Sequence, residues 1–158
     1  MKILITGATG FAGGYLLHYL SNIYGIENVH GTGRSLSKAR ILSDEGFTIK
    51  VGDLVDPEFV NAQLTSYDLI VHCAAKSSVW GSYDSFYKAN VVATKNLLEV
   101  IHSEQQLIYI STANIYFNFQ NRRSICEDDP LPNAFNNHYA ATKYEAEQIV
   151  LAHYKKAI

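Results

Sequence analysis

Ile3-Leu4-Ile5-Thr6-Gly7-Ala8-Thr9-Gly10-Phe11-Ala12-Gly13 opens the chain with an apolar run that breaks into spaced glycines and passes straight into a helical pattern. An unbroken apolar stretch reads as a parallel strand buried on both faces, and the turn after it must bend tightly and bring bare backbone close to a ligand. Leu16, Tyr19, Leu20 and Ile23 recur at helical spacing. The start of the predicted helix, with its unpaired N–H groups and partial positive charge, therefore faces the glycine turn. Strand, turn and helix in this order form a dinucleotide-binding opening, with Thr6, Gly7, Thr9, Gly10, Phe11, Ala12 and Gly13 as the cradle for a pyrophosphate.

Beyond this opening, strand and helix patterns alternate. Further strands are expected at residues 28–32, 47–51, 69–73 and 107–111, and helices at 37–44, 57–64, 83–103 and 138–154. Phe86, Ala89, Ala93, Leu97 and Val100 give the long fourth helix one apolar stripe. A polar loop running to about residue 137 separates the fifth strand from the last helix, and a loop of that length in an α/β domain is usually functional. The expected fold class is α/β, a Rossmann-like doubly wound parallel sheet of about five strands with flanking helices, forming one NAD(P)-binding domain over residues 1–158.

Composition narrows the function classes. A formal net charge of -2, with 18% charged and 47% hydrophobic residues, offers no footprint for nucleic acid. The longest apolar runs are strand-sized, which argues against a membrane span, and a strand beginning next to Met1 leaves no room for a signal peptide. Cys73 and Cys126 carry no metal or disulfide spacing, and the six histidines are dispersed, so no metal site is expected. Reduced thiols and a cytoplasmic location are the reading that follows.

The chemistry should gather where the carboxyl ends of the strands meet. After the second strand stands Gly33-Arg34, where NAD-specific domains carry an acid for the ribose 2′-hydroxyl; the guanidinium fork of Arg34 suits a 2′-phosphate, so NADP is expected and NAD is the alternative. A surface arginine at a turn would look the same. Gly52-Asp53-Leu54 follows the third strand, where Asp53 is placed to accept from the adenine amino group, although Gly-Asp is also ordinary turn chemistry. His72-Cys73-Ala74-Ala75 ends the fourth strand with small residues that let backbone approach the cofactor. Tyr139-Ala140-Ala141-Thr142-Lys143 puts a phenol and an ammonium on one helix face, and Thr112 ends the fifth strand. The Tyr/Lys spacing alone is weak in a chain with 11 tyrosines; its position after the fifth strand gives it weight.

These residues resemble the extended short-chain dehydrogenase/reductase family, also described as the NAD-dependent epimerase/dehydratase and 3β-hydroxysteroid dehydrogenase group. The resemblance rests on Thr6-Gly7-x-x-Gly10-x-x-Gly13, Gly52-Asp53-Leu54, His72-Cys73-Ala74-Ala75, Asn90-Val91-x-x-Thr94, Ser111-Thr112-x-x-Ile115-Tyr116, Glu127-Asp128-x-Pro130 and Tyr139-x-x-x-Lys143. The stretch from Ala74 to Gly81, with Phe86 to Val91 after it, is most similar to the 3β-hydroxysteroid dehydrogenase branch. The resemblance implies Tyr139 as general acid/base, Lys143 as its electrostatic partner and ribose anchor, Thr112 as the hydroxyl orienting the substrate oxygen, and Leu54, Ala74, Ala75, Lys76 and Asn90 as cofactor contacts. A neighbouring ammonium and an oxidised nicotinamide both favour the phenolate form of a tyrosine. Small-molecule substrates and a homodimer through helix packing are implied as well.

Two features depart from the family pattern. Ala113 and Asn114 stand where sugar dehydratases carry acids, which disfavours dehydration, and Phe117 replaces a glycine on the substrate side. Family members usually continue with a carboxyl-terminal substrate domain, so the chain reads as the cofactor half of such an enzyme. On this reading Ala146, Ile149 and Val150 would be left partly uncovered, and the chain alone would bind dinucleotide weakly, associate, and turn nothing over. The main expectation is hydride transfer between nicotinamide and an alcohol or ketone of hydroxysteroid or 3-oxoacyl type. A nucleotide-sugar epimerase of the same family, and a dinucleotide-binding module without catalysis, are the alternatives.

Overall fold

The computed structural model describes residues 1–153. Five strands, β1 (Ile3–Thr6), β2 (Val29–Gly33), β3 (Ile49–Val51), β4 (Leu69–His72) and β5 (Gln106–Tyr109), form one sheet in the order β3-β2-β1-β4-β5. Every pairing is parallel, with Thr6 level with Thr32 on one side and with His72 on the other. The helices are α1 (Phe11–Tyr24), α2 (Leu36–Asp44), α3 (Pro57–Gln63), α4 (Tyr83–Tyr87), α5 (Ala93–Val100) and α6 (His138–His153). Strand order reverses between β1 and β4, and in open α/β sheets the crevice above such a switch point is where ligands bind. This is a Rossmann-like fold, as the alternation of patterns predicts.

Side-chain alternation along β1 divides the interior. Ile3 and Ile5 enter one core with Val29, Leu17, Leu42, Phe47 and Val71, whereas Leu4 enters the other with Ile70, Leu107, Val60, Leu64, Leu97 and Val150. Each fully buried leucine or isoleucine of this kind contributes about 2–3 kcal/mol, so β1 is held from both faces.

Several boundaries and faces differ from expectation. The inward face of α1 is Gly13 and Leu17, flanked by Leu16 and Leu20, while Tyr19 and Ile23 are more than half exposed. Periodicity alone does not set the phase of a helix with apolar residues on two sides. The expected third strand shortens to Ile49–Val51, because Phe47 turns inward and packs edge-on against His18 at 4.9 Å. The predicted helix at 83–103 is α4 and α5 joined by a π-helical turn at Lys88–Val92, and it ends at Val100. A short 3-10 turn, Ala113–Tyr116, interrupts the polar loop. Ala146 and Val150 are buried within this chain, Val150 in the core that holds Leu97 and Leu107 with Ile149 partly buried against it, so the expectation that their cover is partly missing does not hold. The last residue of the predicted final helix, Tyr154, lies outside the described residues.

Candidate active site

Gly7 holds a φ of +71°, and a Cβ there would lie 2.8 Å from Ala74 Cα; a Cβ at Gly13 would collide with the Gly7 carbonyl. Any larger residue would push β1's turn away from β4 or from α1. Gly10 caps α1 without a side-chain acceptor, and no acidic residue stands in the first turn. The N–H groups of that turn are thereby left for an anion. Above them opens a cleft of about 420 Å³ that also reaches Arg34, Asp53, Leu54, Ala74, Ala75, Tyr139 and Lys143. Bare glycine backbone, an uncapped helix start and a lysine in one cleft fit a dinucleotide.

Thr6, Lys76 and Asn90 stand outside that lining and hold its walls. Ala74 N–H donates to Thr6 Oγ1 at 3.1 Å, and Thr6 Oγ1 lies 2.7 Å from His72 Nδ1. His72 Nε2 lies 3.0 Å from Thr94 Oγ1, which donates to the Asn90 carbonyl at 2.6 Å. Because Thr94 spends its proton on Asn90, its oxygen accepts from Nε2–H, and Nδ1 accepts from Thr6; the neighbours thus assign the tautomer. Complete burial, with the charge of Lys143 added, pushes His72 down to about 3, so this bridge works as a neutral imidazole. Asn90 Oδ1 accepts from Lys76 N at 2.7 Å and its Nδ2 donates to Thr142 Oγ1 at 2.9 Å. Thr142 in turn donates to the His138 carbonyl at 2.8 Å. Strand ends, π-helical turn and the first turn of α6 are therefore one connected network. Lys76 Nζ is engaged with Ser85 Oγ at 2.8 Å.

Tyr139 and Lys143 both reach the cleft from α6. Lys143 is 3% exposed; its Nζ donates to the Ile110 carbonyl at 2.5 Å and sits 3.9 Å from the centre of the Tyr109 ring. Desolvation draws its pKa down to about 8, with Glu147 and Cys73 acting in the opposite sense. Burial also raises the Cys73 thiol to about 11 and pushes Tyr109 well above the ordinary phenol range. Thr112 is not in this cleft. Its hydroxyl accepts from Asn114 N–H at 3.2 Å, capping the 3-10 turn, and it lines a neighbouring groove of about 740 Å³ beside Ile115, Tyr116 and Leu151. Ser111 lines both spaces.

At the β2 and β3 end of the cleft, Arg34 Nη1 lies 3.5 Å from Asp53 Oδ2, with both side chains about half exposed. Asp53 Oδ1 accepts from Val55 N–H at 3.1 Å, so this carboxylate shapes its own turn as well as facing the cleft. Gly33, Gly52, Cys73 and Ser111, quoted in the sequence motifs, also line the cleft; sequence reasoning missed Thr32, Ser77, Ala89, Ala93 and Ile110 in the lining. Most are immediate neighbours of residues it found, and their strand-end position was the available signal.

The parallel sheet with a glycine turn at its switch point, and a tyrosine and lysine one helical turn apart in the same cleft, define a Rossmann-like domain of short-chain dehydrogenase type. Residues 3–157 match the NAD dependent epimerase/dehydratase family, and the chain belongs to it. It is 36% identical over 157 residues to 2-alkyl-3-oxoalkanoate reductase of Stenotrophomonas maltophilia, covering 96% of this chain and 46% of that protein. It is 30% identical over 159 residues to sterol-4-alpha-carboxylate 3-dehydrogenase, decarboxylating, of Dictyostelium discoideum, covering 96% and 48%. Among solved structures, dTDP-glucose 4,6-dehydratase from Bacillus anthracis in complex with NAD superposes with a TM-score of 0.80 at 26% identity, covering 99% of this chain and 53% of that one. The chain spans about half the length of the relatives it matches. No helix among the described residues is long and apolar enough to cross a membrane.

Proposed function

We propose that residues 1–158 are the dinucleotide-binding part of an NAD(P)-dependent oxidoreductase acting on an alcohol or ketone, with Tyr139 as the general acid/base. The observation that carries this reading is the arrival of Tyr139 and Lys143 from one face of α6 in the cleft that holds the glycine turn. The first turn of α1 would bind the pyrophosphate, Arg34 the 2′-phosphate of the adenosine ribose, Asp53 the adenine amino group, and Lys143 the nicotinamide ribose. A nicotinamide dinucleotide bound there supplies or accepts the hydride. Tyr139 gives a proton to the carbonyl oxygen during reduction and takes it back during oxidation. Lys143, its Nζ anchored on the Ile110 carbonyl, would hold the nicotinamide ribose and bring positive charge into the cleft that Tyr139 also lines. Ser111 reaches the same cleft, whereas Thr112 supports the loop beside it and would orient substrate only after a shift of the 3-10 turn.

Val79 and Trp80 after β4, and Phe117 and Phe119 after β5, are exposed by 85%, 82%, 42% and 78%. Loops leaving adjacent strands on the cofactor side thus carry apolar surface, which favours a substrate with a hydrocarbon body over a charged nucleotide sugar. The oxoalkanoate reductase and sterol dehydrogenase relatives agree with that choice. We further propose NADP as the preferred cofactor, on the charge of Arg34. The test is Tyr139→Phe in the full-length protein: turnover of a 3-oxo acid or 3-hydroxysterol should be lost, with NAD(P)H binding nearly unchanged. Substantial residual turnover contradicts the assignment.

A further inference from the structure

Three consecutive residues leaving β5 each grip α6. The Tyr109 hydroxyl donates to the Lys143 carbonyl at 3.4 Å, the Ile110 carbonyl accepts from Lys143 Nζ at 2.5 Å, and the Ser111 hydroxyl donates to Glu147 Oε2. Glu147 stands one turn beyond Lys143 on the same helix face. The seam is continuous, and Glu147 is its last stitch.

We propose that Glu147 is a positioning residue for Lys143: its carboxylate, tied to Ser111, fixes the end of β5 against α6 and sets a negative charge one helical turn from the buried Lys143 side chain. The proposal rests on the reading of Lys143 as the group serving cofactor ribose and phenol. The groups facing Lys143 are Cys73 and His72 from the end of β4, Tyr109 from β5, and Tyr139 and Glu147 on α6. His72 is neutral, and Cys73, raised to about 11, is a thiol at neutral pH. Tyr109, also raised, carries no charge. Among the described residues facing Lys143, Glu147 is the carboxylate, and its charge opposes the burial that draws Lys143 down to about 8. Without Glu147, the buried Lys143 Nζ would keep its bond to the Ile110 carbonyl but lose the carboxylate one helical turn away.

The experiment is a pH titration of Lys143 by NMR of isotope-labelled lysine in the cofactor-free protein. Glu147→Gln, which can still accept from Ser111 but has no charge, should lower the midpoint by about one pH unit. Glu147→Asp, which keeps the charge, should restore most of it, and Ser111→Ala should leave the midpoint near that of the unaltered protein. An unchanged midpoint in Glu147→Gln overturns the proposal, as does an equal fall in Ser111→Ala, which would assign the effect to packing. If Glu147→Gln does not fold, Glu147→Ala carries the test: a fall in the midpoint supports the proposal and an unchanged midpoint overturns it. Turnover does not enter this titration, so failure of the Tyr139 assignment and failure of the Glu147 assignment give different results.

Discussion

At Gly13 one methyl group decides whether α1 can start where it does, because the Gly7 carbonyl occupies the space a Cβ would need. Backbone atoms cannot swing aside as a side chain can. Gly13→Ala should therefore weaken NAD(P)H binding by about tenfold or more, read by fluorescence titration. Arg34 and Asp53 make a second residue-level case. The half-exposed pair is weak on its own, and a 2′-phosphate would take the guanidinium from the carboxylate. Arg34→Ala should lower the NADPH over NADH preference by about tenfold, and Asp53→Asn should raise it, since a competing carboxylate is removed. Equal ratios across the three proteins contradict the NADP proposal. His72 supplies a pH test. Its folded pKa, about 3, lies below the unfolded value of 6.5, so the unfolded chain binds the extra proton between those limits. The stability that neutral His72 contributes is fully present above 6.5 and is lost as pH falls. His18, raised by the Gly14 carbonyl and Glu45, has the opposite sign in a window above 6.5. Between about pH 6 and 5, a variant His72→Asn should lose about 1.4 kcal/mol per pH unit less than the unaltered protein, by urea denaturation. The glycine turn, Arg34, Tyr139 and Lys143 were legible because their chemistry is local to a motif. The Ile110 carbonyl that holds Lys143 was not, since every residue has a carbonyl and only the fold selects one.

Among the elements, the junction of α4 and α5 sets where α6 begins. A π-helical turn at Lys88–Val92 carries Asn90 inward, where it holds Lys76 of the β4 loop and Thr142 of α6. Asn90→Ala would strand several buried polar groups at once. It should cost about 2–4 kcal/mol of stability and also reduce turnover through Tyr139, one turn before Lys143 on the same helix. A variant as stable as the parent would contradict this account of the junction. The apolar stripe from Phe86 to Val100 was readable, yet the widened turn was not. Its extra residue is stabilised by side chains from elements far away in sequence, and periodicity carries no record of them. The same limit explains α1, whose Tyr19 and Ile23 satisfy helical spacing while facing outward.

For the whole molecule, the strand order places β1 and β4 side by side at the reversal, and the cleft follows from that arrangement together with the glycines. Strand and helix alternation announced the sheet; the layout of the groove beside β5 was out of reach because a long polar loop has no periodic signature. β5 is an edge strand, and Ile110 and Leu151 nearby are 38% and 58% exposed. Open edges with apolar neighbours invite pairing. The 158-residue chain should show concentration-dependent association in sedimentation, and Leu151→Lys should reduce it. On the proposed reading, a nicotinamide dinucleotide lies across the carboxyl ends of β1 and β4 with its pyrophosphate on the start of α1. Amide chemical-shift mapping during an NADPH titration tests it most directly. Saturable shifts are expected at Gly7, Gly10, Phe11, Ala12 and Gly13, with smaller ones at Arg34 and Tyr139, and little change at Ile125 and Leu131 in the second groove. Saturation that leaves the glycine turn unmoved while the second groove shifts would contradict it.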